Sequence, residues 1–205
     1  MIQERDTSVQ NFLVNKKLLE TIRVEDGELF HLEYHQLRLE RSCAECGIIL
    51  QDILSPPKEG LFRCRVVYDA NSCDVSYHPY TKRSISQLKV IEGGEIEYSK
   101  KYLDRTLLEA LFLQKGSADD VLILKHGLIT DTTIANVAFL YKGRWITPKE
   151  PLLNGTTRMR LIAQKRLDEA EIALEDLSNF EAMALMNAMI DFDIIHNKKI
   201  EDMIC

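Results

Sequence analysis

Residues 147–162 read "TPKEPLLNGTTRMRLI". Pro148 and Pro151 punctuate an irregular approach, and helix formers take over after Gly155. Gly155 lets a backbone come close to a ligand, and Thr156 and Thr157 place hydroxyls beside the unpaired N–H groups of a helix start. Such a start attracts anions, worth roughly 0.3–1 kcal/mol per charge at a surface and up to about 2 when partly buried. The plainer alternative is a threonine N-cap, and taken alone this stretch favours the plainer one.

Working outward, the helix is expected to start near Thr157 and to run to about Leu167. Upstream, Val137–Tyr141 and Arg144–Ile146 read as strands joined by the Lys142-Gly143 turn, and Val121–Lys125 as another strand. Between them "HGLITDTTIANVAF" (126–139) is more polar than a plain connection requires. A buried Asp131 there needs a partner, unless an Asx or Ser/Thr turn absorbs it; the residues leave both open. Leu103, Leu107, Leu108, Leu111 and Phe112 recur at helical spacing, closed by Gly116. Strands are also expected at Ile172–Leu174 and Ala182–Met186.

In the first half, Leu18–Arg23 alternates weakly, and the Asp26-Gly27 turn leads into Leu29–Leu32. Glu33 to about Cys46 reads as a helix that stops at Gly47. Phe62–Tyr68 and Asp74–Tyr80 read as strands about "DANS", and Leu88–Ile91 as another. The diglycine at 93–94 is taken as the boundary between a domain 1–94 and a domain 95–205. Strands and helices mix without a βαβ repeat, so the class is α+β (mixed α/β), with two small domains.

The 205 residues are 45% apolar and carry a net charge of −6, which excludes nucleic acid as the main partner but not a small anionic ligand. No apolar run is long enough to span a bilayer. Five cysteines without a repeating spacing, and no signal peptide at "MIQERDTSVQ", lead to the expectation of free thiols in the cytoplasm. Cys43-x-x-Cys46, placed on the helix of His35 and Arg38, reads as structural or incidental rather than metal-binding. The five histidines show no ligand spacing, so no metal is expected.

Taken in order, "LETIR" (19–23), "HQLRL" (35–39), "KYLDR" (101–105), "GLITDTTIANVAF" (127–139), "PLLNGTTR" (151–158) and "MNAM" (186–189) resemble the class IV aminotransferases. These are fold-type-IV pyridoxal-phosphate enzymes that include 4-amino-4-deoxychorismate lyase, branched-chain aminotransferases and D-amino acid aminotransferases. The resemblance runs from about Leu19 to Met189. It implies pyridoxal 5'-phosphate as cofactor, linked to Lys101 rather than Lys100. It implies Arg38 on the phosphate, with Gly155, Thr156 and Thr157 forming the phosphate cup. Asp131 falls where the family carries the glutamate that faces the pyridine nitrogen, and its shorter side chain predicts a longer or re-aimed contact. Asn187 and Ala188 fall in a second phosphate-contacting loop, and Arg105 is expected to steady Lys101 or a substrate carboxylate.

The family's usual amino-terminal stretch has no counterpart here, so a trimmed first domain is expected. The resemblance further implies a homodimer acting on a small-molecule amine. "KYLDR" is nearer the lyase pattern K-x-L-N-R than the branched-chain form, which implies a lyase releasing pyruvate and 4-aminobenzoate. An aminotransferase on a branched-chain or D-amino acid is the alternative, and a non-catalytic pyridoxal-phosphate-binding protein is a further one.

Overall fold

The computed structural model describes residues 16–195 and 200–205, so the polar opening "MIQERDTSVQ" lies outside the described residues. The chain divides into two compact units. Unit 1 lies within Met1–His78 and takes in Lys101–Asp104; unit 2 is Pro79–Lys100 and Arg105–Cys205. The boundary expected at Gly93-Gly94 therefore falls inside unit 2. Its physical reason is local: the Gly93 N–H donates to Leu124 O (2.7 Å), and a Cβ there would stand 2.8 Å from Ile123 Cγ2. The diglycine marks a close approach within a sheet, not a linker.

Unit 1 is a four-stranded sheet in the order β2-β1-β3-β4, from β1 (Leu18–Glu25), β2 (Glu28–Leu29), β3 (Leu61–Tyr68) and β4 (Cys73–Pro79). Asp26 and Gly27 both have positive φ, as the expected tight hairpin between β1 and β2 requires. Helix α1 (Leu32–Ser42) supplies Leu39 to a core that includes Ile22, Val24, Leu50, Cys64, Val66 and Tyr68. The α1 helix stops at Cys43, earlier than expected, and Ala44–Cys46 forms one turn of 3₁₀ helix before Gly47 in the left-handed region. Cys43-x-x-Cys46 is thus beyond the helix, and the two cysteines form a disulfide, correcting the expectation that all five thiols are free. Cys64, Cys73 and Cys205 are free. A short helix α2 (Leu50–Ile53) precedes the proline-rich loop before β3.

Lys101 is not at a helix start. "KYLDR" is extended chain added beside β1: the Leu19 N–H donates to Lys101 O (2.9 Å), Tyr102 bridges to Leu18, and the Leu103 N–H donates to Lys17 O (2.8 Å). Helix α3 (Thr106–Phe112) begins only afterwards, with Leu108 and Leu111 buried and Leu107 59% exposed. The five-residue apolar face expected from spacing is therefore a narrower two-residue one.

Unit 2 is built on an eight-stranded sheet. Its main path is β10 (Asp168–Ala170), β9 (Arg144–Pro148), β8 (Asn136–Tyr141), β7 (Leu128–Thr132), β6 (Asp120–Lys125) and β5 (Leu88–Glu92). β11 (Ala182–Asn187) pairs with β8 and with β12 (Asp191–Ile194). β5–β6 and β9–β10 are parallel, and β6–β7, β7–β8, β8–β9, β8–β11 and β11–β12 antiparallel. Helix α4 is Thr156–Ala163, shorter than expected, and α5 (Ile200–Met203) closes the chain. No strand forms at 172–174, where Ala173 makes only a bridge to Leu128. The mixed α+β class holds.

One feature of the sheet positions the site. β8 pairs with β9 at Phe139–Tyr141, but with β7 through a single register pair, Asp131 opposite Asn136. The "LITDT" segment (128–132), read as part of a polar connection, is strand β7, and Asp131 points from a buried strand rather than a loop.

Candidate active site

Unit 1 carries a buried charged cluster. Along β1, residues 18, 20, 22 and 24 all face the core, so the alternation that buries Leu18, Ile22 and Val24 also buries Glu20, which is 0% exposed. A carboxylate there has to be paired. His35 and Arg38, three residues apart on the inward face of α1, both reach it. Arg38 donates from Nε to Glu20 Oε1 (2.8 Å) and from Nη2 to Oε2 (2.5 Å), a bidentate fork, and His35 Nδ1 lies 2.6 Å from Oε2. Burial alone would raise the Glu20 carboxyl, but the Arg38 charge and the hydrogen bonds from His35 and Arg38 outweigh it and hold Glu20 at about 2. Burial lowers the His35 pKa against the opposing pull of Glu20, and the charges of Arg38 and Lys101 add to the lowering. Lys101 is half-buried and Lys100 exposed.

Unit 2 carries the second set. Asp131 is 4% exposed, and both of its oxygens are engaged: Asn136 Nδ2 donates to Oδ1 (2.6 Å) and the Leu153 N–H donates to Oδ2 (2.9 Å). Burial pushes its carboxyl up to about 7, despite the opposing Leu153 and Asn136 hydrogen bonds and the Arg158 charge. Asn136 Nδ2 also donates to Leu153 O (2.8 Å), so one amide ties Asp131 to the loop that delivers Gly155. Gly155 is the N-cap of α4, with no side-chain cap and no acidic residue in the first turn. Thr156 and Thr157, the first two helical residues, are buried. An uncapped helix start without a nearby carboxylate in its own turn is a fitting seat for a phosphate.

Arg158 fixes the approach to that seat. Its Nη2 donates to Pro148 O (2.8 Å) and pairs with Glu169 (2.5 Å), and its Nη1 donates to Asn154 Oδ1 (3.1 Å). The Thr132–Ala135 turn beside Asp131 is held from several sides. Thr132 Oγ1 accepts the Ala135 N–H (3.0 Å), Thr133 Oγ1 donates to the buried Asp120 (2.7 Å), and Arg105 Nη2 donates to Thr133 O (2.7 Å). Asn187 Nδ2 donates to Ile134 O (3.1 Å), while its Oδ1 accepts the Met189 and Ile190 N–H groups. Asn187 thus shapes its own loop and pins the turn. Both readings of "TDTTIAN" apply: Thr132 makes a side-chain-capped turn, and Asp131 is a buried, partnered acid.

Of the site residues expected from the sequence, Arg38 and Lys101 lie in unit 1, and Arg105, Asp131, Gly155, Thr156, Thr157, Asn187 and Ala188 in unit 2. Sequence reasoning missed Glu20 as the partner of Arg38, although its place in the β1 alternation was a signal. It also gave no role to Asn136 or Arg158. Among the described residues no group of His, Cys, Asp or Glu could hold a metal ion, and no helix is long and apolar enough to cross a membrane.

This mixed fold, with a buried acid tied to an uncapped helix start, is that of the fold-type-IV enzymes. The family model for amino-transferase class IV matches residues 99–196. A Haemophilus influenzae protein without assigned function is 35% identical, covering 84% of this chain and 97% of its own. A Schizosaccharomyces pombe protein named "Putative aminodeoxychorismate lyase" is 30% identical, covering 80% of this chain and 82% of its own. The crystal structure of a "putative 4-amino-4-deoxychorismate lyase" from Haemophilus somnus superimposes with a TM-score of 0.75 at 35% identity, over 85% of this chain and 97% of that one. The chain belongs to the class IV aminotransferase family and is an enzyme of its lyase or aminotransferase kind.

Proposed function

We propose that this enzyme binds pyridoxal 5'-phosphate and eliminates pyruvate from 4-amino-4-deoxychorismate or a close relative, leaving 4-aminobenzoate, a folate precursor. The observation that carries the cofactor reading is Asp131, a buried carboxyl that accepts the Leu153 N–H and is thereby tied to the uncapped start of α4. The acid suits a protonated ring nitrogen, and the helix start with Thr156 and Thr157 suits a phosphate. When bound, pyridoxal phosphate supplies an electron sink for the carbon bearing the substrate amine. Lys101 is the group proposed to bond the cofactor aldehyde and to move the proton at that carbon. Arg38 adds a cationic charge for the phosphate. Support for the lyase over the transaminase is "KYLDR" and the names of the two relatives above. We also propose that the chain works as a cytoplasmic homodimer, for which sedimentation equilibrium should return twice the 23.6 kDa chain mass; a monomer at enzyme concentrations would exclude it.

The test is to add pyridoxal phosphate to the purified protein, record the visible spectrum, reduce with borohydride and map the modified peptide. The label is expected on Lys101 and not on Lys100. An unlabelled protein without visible absorbance would overturn the cofactor reading. Turnover of aminodeoxychorismate without any keto acid supports the lyase; a strict keto-acid requirement assigns an aminotransferase instead.

A further inference from the structure

The Glu20–His35–Arg38 cluster has a property that phosphate binding alone does not require. Glu20 is ionised and can only accept hydrogen bonds, so the nitrogen 2.6 Å from its Oε2, His35 Nδ1, carries a proton. With a neutral ring, Nε2 is then the basic nitrogen. Glu20, Arg38 and a neutral His35 sum to zero charge. The Nε and Nη2 edge of the guanidinium is occupied by Glu20, so Arg38 meets an incoming anion with its charge already matched.

The charges that act on His35 come from Glu20 on β1, Arg38 on α1 itself, and Lys101 on the extended segment beside β1. Tyr68 on β3 shares the field of Glu20 and Arg38. Arg38 keeps its proton at any ordinary pH, Glu20 is held far down, and burial pushes the Tyr68 hydroxyl far up. His35 is the member of the cluster left to answer an added negative charge by taking up a proton.

We infer that His35 is a proton-linked positioning residue, which takes a proton on Nε2 when Arg38 engages an anionic ligand and thereby keeps Glu20 matched while Arg38 turns its charge outward. The inference rests on the cofactor reading above, in which that anion is the cofactor phosphate. The step is a simple protonation from solvent. Because the ligand raises the proton affinity of His35, binding is tighter at low pH and weakens as pH rises through the His35 pKa of the complex, by up to about tenfold per pH unit.

The probe is pyridoxine 5'-phosphate, which lacks the aldehyde and forms no bond to a lysine. Calorimetric titration near neutral pH in two buffers of different ionisation enthalpy counts the protons taken up per ligand bound. The wild-type protein is expected to take up a measurable fraction of a proton beyond that of His35→Asn, whose amide still donates to Glu20 but cannot titrate. Equal counts in the two proteins overturn the inference while leaving the cofactor reading intact. Failure of the probe to bind either protein sinks both. Should the variant not fold, nitrogen-correlated NMR of the wild-type imidazoles gives the same answer: His35 is expected as the Nδ1–H neutral tautomer alone and protonated on both nitrogens with the probe. An unchanged neutral ring would overturn the inference.

Discussion

A Cβ built on Gly155 would stand 2.1 Å from Asn136 Oδ1 and 3.3 Å from its Cγ. Gly155 has φ −67°, so backbone freedom is not what selects glycine here; the missing side chain is. Asn136 cannot yield without loss, because its amide is already committed to Asp131 Oδ1 and Leu153 O. Gly155→Ala is therefore expected to push Asn136 off Asp131 at a cost of about 1–3 kcal/mol, the usual range for overpacking. It should also weaken pyridoxal phosphate binding. A urea midpoint and an absorbance titration check the two effects, and a variant unchanged in both would show that Asn136 has somewhere else to go. In the sequence Gly155 reads only as a glycine before a helix. Its clash partner lies on strand β8, nineteen positions earlier, and no local pattern reveals it.

At the scale of elements, what was legible was whatever local chemistry decides. Asp26-Gly27 forms its hairpin because both positions tolerate positive φ, and Gly47 halts the chain after α1 for the same reason. β7 was not legible, because "LITDT" carries polar residues on a strand buried among other strands. The fold tolerates them by satisfying each one: Thr130 Oγ1 donates to Ile123 O (2.8 Å), and Asp131 is held by Asn136 and Leu153. The same logic governs α1 on β1. Period-two alternation buries Glu20, helical spacing brings His35 and Arg38 over it, and the pairing fixes how the helix sits on the sheet of unit 1. Removing one member strands the others. Glu20→Gln leaves Arg38 buried without its carboxylate and should cost about 3–5 kcal/mol. The double change Glu20→Leu with Arg38→Met removes both charges and is expected to cost less than Glu20→Gln alone, measured as denaturant midpoints on the same protein. A double variant weaker than the single one would mean that Arg38 is held mainly by groups other than Glu20.

Across the molecule, Glu20 in unit 1 and Asp131 in unit 2 are buried carboxyls whose titrations are displaced with opposite sign. Glu20 in unit 1 is lowered from 4.5 to about 2, so it contributes stability that is present above about pH 4.5 and is lost as pH falls toward 2. Asp131 in unit 2 is raised from 3.8 to about 7. Its folded form binds a proton that the unfolded chain has released, so its contribution is complete below about pH 3.8 and is lost as pH rises toward 7. Asp120, fully buried and raised in the same direction, adds to that fall. The sign is exposed by comparing the wild-type protein with Asp131→Asn, which keeps the side-chain shape and cannot ionise. The hydrogen bonds altered by the amide shift stability by an amount that does not vary with pH. The remaining difference should grow in favour of the variant between about pH 4 and pH 7, reaching a few kcal/mol, and level off above that. If the units unfold in separate transitions, the loss toward neutral pH belongs to the transition of unit 2, and the loss in acid from Glu20 to that of unit 1. Guanidinium melts followed at several pH values decide the matter. A difference flat from pH 4 to 7 would mean that Asp131 is already ionised in the folded protein, and Asp131 would then meet the ring nitrogen as a fixed negative charge instead of as a group that shares its proton.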